Sequence, residues 1–348
     1  MAKTVGIMTG GGDCPGLNAV IRAVVRRGDA LGYEIIGILE GWLGLLENKL
    51  ERLNLRSASG ILNRGGTILK TSRTNPPKHP DGLATIEENL RKNAIEALIA
   101  VGGDDTMGVA DRLYHHGVSV VGIPKTIDND LNGTDYCFGF DTAVNIATEA
   151  IDRLHTTAEA HNRIMVVEVM GRDTGWIAVA SGLAGGADVI LIPEKPIEIE
   201  EVCALLRKRS QRGKDFSIVV VAEGAKLPTL AGEAARQVAQ SHVKDEFGHV
   251  QLGGISSILA REIEDRTGFE TRVAVLGHIQ RGGSPTAFDR ILATRFGVTA
   301  MNLVDRGEFG KMVALQGTKI VAVPLSEATK SPRRVDQELY DTAAVFFG

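Results

Sequence analysis

Short apolar runs that stop at glycine or aspartate recur along this chain, and no other feature narrows its fold as much. Residues 5–8, 33–38, 97–101, 118–123, 164–169, 189–192, 218–222 and 274–276 are of this kind. Runs of this length, rich in Val and Ile and bounded by turn residues, read as strands buried on both faces. Helix-like stretches at 18–31, 143–157, 198–212 and 254–265 fall between them, so the pattern is strand, helix, strand. The expected class is α/β, with mainly parallel sheets covered by helices on both faces. A length of 348 residues with 43% hydrophobic side chains suffices for two domains of ordinary size. Segments 5–20 and 166–179 each run from strand through a Gly/Asp turn to helix, a faint echo that two similar domains would explain. Residues 74–80 and 324–334 read as polar loops.

Composition removes several classes of function. A formal charge of −4, with no long Lys/Arg tract, gives no electrostatic reason to expect nucleic acid or an anionic membrane. No stretch approaches the roughly 20 apolar residues of a membrane helix, and residues 1–8 hold no signal-like region, so a cytoplasmic protein is expected. Cys14, Cys137 and Cys203 lack Cys-x-x-Cys spacing, which predicts free thiols and no structural zinc. The basic stretch 207–212 reads as a solvated helix face rather than as an effector-phosphate site.

Ligands of parallel sheets bind beyond the carboxyl ends of the strands, so function is expected in five segments: 9–16, 102–106, 124–130, 170–175 and 276–285. In the first, Gly10-Gly11-Gly12-Asp13-Cys14-Pro15-Gly16 links a strand to a helix, where backbone N–H groups and the macrodipole can receive phosphate. A dinucleotide-binding turn or a simple tight connection are the other readings of the same loop, and Walker A is absent because no Gly-Lys-Ser/Thr follows. In Gly102-Gly103-Asp104-Asp105-Thr106, Asp104 is the candidate Mg²⁺ ligand beside a phosphate chain, although adjacent acids also suit a helix first turn. Lys125, Thr126, Asp128 and Asp130 converge in one short loop, denser in chemistry than a solvated loop requires. Phosphoryl transfer calls mainly for positioning and charge balance, with a carboxylate to accept the proton of the attacking hydroxyl. Asp128 is assigned that role, and Asp130 is its orienting or metal-linked neighbour. A phosphorylated sugar needs bidentate donors. Arg163, Arg172, Arg272, His278 and Arg281 can supply them, and Glu223 can accept bonds from sugar hydroxyls.

Through Gly-Gly-Gly-Asp-Cys-Pro-Gly at 10–16, Thr-Ile-Asp-Asn-Asp at 126–130, Met-Gly-Arg at 170–172 and Gly-His-Ile-Gln-Arg-Gly-Gly-Ser-Pro at 277–285, the chain resembles the 6-phosphofructokinase family over nearly its whole length. The resemblance implies transfer to the C1 hydroxyl of fructose 6-phosphate, with Mg²⁺, in a cleft between two Rossmann-like domains. It divides the chain into a phosphoryl-donor domain at 1–139 plus about 255–305, and a sugar-phosphate domain at 140–254 plus about 306–348. Donor contacts would come from Gly11, Arg73 and Asp104. Thr126, Asp128, Asp130, Met170, Gly171, Arg172, Glu223, His278 and Arg281 would hold the sugar phosphate, with Arg172 also balancing charge in the transfer. Arg163 and Arg272 would reach a neighbouring subunit's site, in a homodimer or homotetramer.

Two departures from the ATP-using pattern stand out. Gly-Gly-Asp-Asp replaces Gly-Gly-Asp-Gly, and Pro-Lys-Thr-Ile-Asp-Asn-Asp replaces Pro-Gly-Thr-Ile-Asp-Asn-Asp. Asp105 puts bulk and negative charge where a nucleotide's α-phosphate would lie, while Lys125 can neutralise pyrophosphate and the transferring group. The pair is similar to that of the pyrophosphate-dependent members, with Asp105 carrying most of the weight. The alternatives are an ATP-dependent member, a nicotinamide-dependent oxidoreductase gripping a ribose with Glu34 or Glu40, and a non-catalytic sugar-phosphate sensor.

Overall fold

The structure, a computed structural model, describes residues 3–227 and 236–348. The chain begins β1 (Thr4–Thr9), α1 (Leu17–Ala30), β2 (Glu34–Ile38), α2 (Trp42–Leu46), β3 (Leu50–Leu53), α3 (Gly82–Lys92), β4 (Ile95–Gly102), α4 (Asp104–His115), β5 (Val120–Pro124) and α5 (Phe140–His161). It continues β6 (Ile164–Val169), α6 (Trp176–Ala184), β7 (Val189–Leu191), α7 (Ile199–Gln211), β8 (Ser217–Ala222), β9 (Lys226–Leu227), β10 (Arg236–Gln237), β11 (Ala239–Lys244) and β12 (Val250–Leu252). It ends α8 (Ile255–Thr267), β13 (Thr271–Val275), α9 (Ala287–Asp305), β14 (Lys311–Gln316), β15 (Lys319–Pro324), α10 (Leu325–Ala328) and α11 (Gln337–Ala344). No helix among the described residues is long and apolar enough to cross a membrane.

These elements form two compact units. The first comprises Met1–Thr142, Asp245–His249 and Arg281–Pro332. Its sheet has the order β15-β14-β5-β4-β1-β2-β3, parallel from β14 to β2 with an antiparallel strand at each edge. β1, β4 and β5 are buried along almost their whole length, as apolar runs covered on both faces must be. Their register is level at the carboxyl end, Thr9 facing Val101 and Gly102 facing Pro124. The loops that leave these three strands therefore start side by side. Helices α1 and α9 pack together, with Val20, Val24, Phe296 and Ala300 fully buried. Each such large aliphatic or aromatic side chain contributes about 1.5–3 kcal/mol by burial.

The second unit comprises Ala143–Lys244, Val250–Gln280 and Arg333–Gly348. Its main sheet, β13-β6-β8-β7, is wholly parallel. The pairs β9/β10 and β11/β12 are separate antiparallel ribbons.

The α/β class stands, and the structure moves the expected boundaries. Residues 306–332 belong with the first unit rather than the second, because β14 pairs with β5. Residues 255–280 belong with the second rather than the first, because β13 pairs with β6. The strand expected at 274–276 is β13, which begins three residues earlier and ends before Leu276. The polar loop at 324–334 contains α10, and the one at 74–80 contains a 3-10 turn, Pro76–Lys78.

Candidate active site

Three of the five expected segments open from β1, β4 and β5, and part of a fourth joins them. The order β5-β4-β1-β2 reverses the direction of winding between β4 and β1, the place where open parallel sheets bind ligands. After β1, Gly11 has φ 73, a left-handed conformation natural to glycine. A side chain at the neighbouring Gly12 would displace the Arg281 guanidinium, whose Nη1 lies 2.5 Å from where its Cβ would be. The expectation that this loop offers its N–H groups to an anion needs correction at two positions. Gly10 N–H donates to Val101 O at 2.9 Å and Gly11 N–H to Ser72 O at 3.2 Å, so both serve the fold. The loop's carbonyls meet cations and hydroxyls instead: Lys125 Nζ donates to Gly12 O, Arg281 Nη1 to Asp13 O at 3.1 Å, and Thr71 Oγ1 to Gly11 O at 2.7 Å.

After β5, Lys125 is only 3% exposed, its N–H donating to Gly102 O at 2.9 Å. Burial lowers its pKa, partly offset by the acidic groups Cys14, Asp13 and Asp104. The Cys14 thiol beside it is pushed up to about 12, again by burial first, with Lys125 opposing. Cys14, Cys137 and Cys203 are all free and buried. Thr126 Oγ1 accepts the backbone N–H of Asp128 at 3.1 Å. Between Asp128 and Asp130, Asn129 adopts φ 53, and its Oδ1 accepts Cys137 N–H at 2.9 Å. Asparagine is among the few residues that visit this conformation readily, which is a local reason for its place between the two acids.

After β4, Asp104 and Asp105 form the first turn of α4. The helix-first-turn reading is thus correct, and the macrodipole favours acids there. Both line a cavity of about 240 Å³ together with Asp130, Arg112, Phe247 and Lys330. Asp105 Oδ2 accepts His249 Nε2 at 3.0 Å. Arg73 is exposed and pairs with Asp245 at 3.2 Å.

The second unit carries the remaining candidates in two groups. Met170, Gly171, Arg172 and Glu223 follow the paired carboxyl ends of β6 and β8, and His278 lies exposed in the 3-10 turn after β13. Met170 N–H donates to Gln280 Oε1 at 3.3 Å. Gly171 has φ 140, and a Cβ there would stand 2.6 Å from Thr174 O, so only glycine fits. Arg172 Nη1 donates to Val250 O at 3.0 Å, and Gln237 Nε2 donates to Arg172 O at 2.8 Å. Arg163 and Arg272 lie instead at the amino ends of β6 and β13 and share one partner, Glu270. At about 3.3 Å per residue, Met170 lies roughly 17 Å along β6 from the level of Arg272, which faces Met165, and roughly 23 Å from Arg163, so they do not join the other group within their own unit.

Several other candidates are committed to the fold. Arg209 of the basic stretch pairs with Asp188 at 2.8 Å, Arg207 donates to Arg266 O at 2.6 Å, and Arg212 to Gly348 O at 2.6 Å. Glu34 pairs with Arg52 and Glu40 with Lys49, so the two ribose candidates already hold cations. His249 and Asp245 sit in no Gly/Asp strand-end motif, so no local pattern marks them. Gln280 is fully buried within the 277–285 motif. A buried-type amide in the middle of a glycine-rich run was the available signal.

Residues 4–304 match the family described as Phosphofructokinase. Over 99% of both chains, the sequence is 58% identical to the pyrophosphate–fructose 6-phosphate 1-phosphotransferase of Streptomyces coelicolor. Over the same share of both chains, it is 52% identical to the ATP-dependent 6-phosphofructokinase of Mycobacterium leprae. It is similar in structure to phosphofructokinase from Saccharomyces cerevisiae, with a TM-score of 0.81 at 33% identity, covering 94% of this chain and 45% of the yeast chain.

Proposed function

The chain belongs to the phosphofructokinase family, and from that premise we propose that its phosphoryl donor is pyrophosphate and its acceptor the C1 hydroxyl of fructose 6-phosphate. The products are fructose 1,6-bisphosphate and phosphate. The observation that carries the donor assignment is Asp105, in the first turn of α4 and lining one cavity with Asp104 and Asp130. A nucleotide's α-phosphate brought within about 4 Å of that carboxylate would meet a repulsion on the order of 4 kcal/mol at an effective dielectric of about 20. Pyrophosphate ends before that point. The share of identity with the Streptomyces enzyme favours the same donor.

Asp128 accepts the proton of the C1 hydroxyl as its oxygen attacks the near phosphorus, and the bridging P–O bond breaks to release phosphate. Lys125 and Arg172 balance the charge that moves to the leaving and transferring groups. Lys125 is disfavoured as a cation by burial, and a polyanionic donor beside it reverses that preference. Arg73 completes the donor contacts, and Gly11, whose N–H and carbonyl are already bonded within the fold, contributes only the close approach of a bare backbone. Thr126, Asp130, Met170, Gly171, Glu223, His278 and Arg281 hold the sugar phosphate. Arg163 and Arg272, remote from that group in their own unit, serve the site of a neighbouring copy in a homo-oligomer.

The residues fit Mg²⁺ of the kind that keeps waters and takes phosphate oxygens. No three His, Cys, Asp or Glu side chains form a metal cage among the described residues, whereas Asp104 is an exposed carboxylate on the donor cavity. Bound at Asp104, the ion would neutralise donor phosphate charge. A cytoplasmic, reversible step of glycolysis and gluconeogenesis is the setting this reading implies.

The 52% identity to an ATP-dependent relative keeps one second reading, in which ATP is the donor. Formation of fructose 1,6-bisphosphate is measured with Mg²⁺ and either pyrophosphate or ATP as sole donor. Turnover is expected with pyrophosphate, and Asp105→Gly is expected to gain ATP use while pyrophosphate use weakens. Turnover of the wild-type chain with ATP alone would overturn the donor and leave the family and base in place.

A further inference from the structure

Residues 245–249, Asp-Glu-Phe-Gly-His, join β11 to β12 and belong to the first unit, far from any of its motifs in sequence. Asp245 makes the turn, its Oδ1 accepting the N–H groups of Phe247 at 3.0 Å and His249 at 2.9 Å. Its Oδ2 accepts Arg73 Nη1 at 3.2 Å. Glu246 Oε2 accepts Asn75 N–H at 2.7 Å, and Phe247 packs against the core of this unit and lines the donor cavity. At the far end of the turn, His249 Nε2 lies 3.0 Å from Asp105 Oδ2, with both side chains one-third exposed. One five-residue turn thus grips two proposed donor-site residues, Arg73 by a carboxylate and Asp105 by an imidazole. The first turn of α4 needs no such help to hold an acid, because its own macrodipole supplies it.

We infer that His249 is a positioning residue for donor specificity: its Nε2–H holds the Asp105 carboxylate in the cavity it shares with Asp104 and Asp130, fixing the charge that separates a bare diphosphate from a nucleotide. The inference rests on the donor reading above. A carboxylate tethered by a hydrogen bond on one side and a helix terminus on the other keeps one rotamer; released, it can turn toward solvent and leave room for a longer donor.

The test is steady-state kinetics of the full chain, its His249→Ala and His249→Gln forms, with Mg²⁺, fructose 6-phosphate and either pyrophosphate or ATP. Loss of a hydrogen bond to a charged group predicts that His249→Ala raises KM for pyrophosphate about tenfold and lowers the pyrophosphate-to-ATP selectivity by a similar factor. KM for fructose 6-phosphate stays within about twofold, and His249→Gln, whose amide donates from a similar reach, restores most of the loss. Equal shifts in both KM values, or none in either, would overturn the inference and make the turn merely structural. Should His249→Ala not fold, Asp245→Asn keeps the ring and loosens the turn, and is expected to shift donor KM in the same direction by less; no shift would count against the inference. If the wild-type chain uses only ATP, the donor reading has failed, and a change in ATP KM without one in acceptor KM still assigns His249 to donor positioning.

Discussion

Asp128 is held by its surroundings rather than by luck of a flexible loop. Its N–H is bound by Thr126, and the next residue, Asn129, is pinned through Cys137 N–H and, at 3.4 Å, Asp135 O. A base seated on so rigid a loop can be removed without unmaking the loop. Asp128→Ala is therefore expected to cut turnover by about 10²–10⁴-fold. Its midpoint of thermal unfolding should stay within about 4 °C of the wild type. Parallel losses of activity and stability would instead mark Asp128 as a structural acid. Lys125 illustrates a different residue-scale balance, since burial works against its charge until an anion arrives.

Where the amino ends of α5 and α9 meet, a small polar network replaces apolar packing. Thr286 caps α9 by accepting Asp289 N–H at 3.3 Å and donates to Asp141 Oδ2 at 2.6 Å. Thr142 gives Asp289 Oδ2 its N–H at 2.8 Å and its hydroxyl at 2.5 Å. Asp289 is fully buried, and burial pushes its pKa up to about 6 against the pull of the Thr142 hydrogen bonds. The folded value lies above the ordinary 3.8, so the native chain holds a proton that the unfolded chain releases. The associated stability is full below about pH 4 and fades as pH rises through about 6. Asp289→Asn has no such titration. The amount by which the wild type melts above this variant should be largest at about pH 4 and below and shrink as pH rises to about 6, as thermal unfolding across that range would show. A constant difference would mean that Asp289 does not titrate there. The junction touches function because Arg281, a proposed sugar-phosphate ligand, lies only five residues before Thr286 on the same connection.

At the scale of the whole molecule, the proposed function has Arg163 and Arg272, which lie apart from Met170–Arg172, serve the site of a neighbouring copy. Inactive Arg272→Ala and inactive Asp128→Ala proteins, dissociated and reassembled together, should recover activity. For a dimer mixed at random, half the assemblies are hybrids with one intact site of two, or about a quarter of wild-type activity. No recovery would place Arg272 in its own chain's site. By itself the sequence determined the α/β class, the buried strands and the residues at their ends, because hydrophobic period and Gly/Asp turn chemistry are local properties written in neighbouring residues. It also determined the family, through motifs whose members lie within a few residues of one another. Tertiary structure alone decided that 306–332 joins the first sheet and 255–280 the second, since strand pairing is a choice among distant partners that no local pattern encodes. It alone committed two N–H groups of the Gly10–Gly16 loop to Val101 and Ser72, and brought His249 to Asp105 across 144 positions. Hydrogen-bond partners so far apart are set by how the elements pack, and packing is a property of the folded chain.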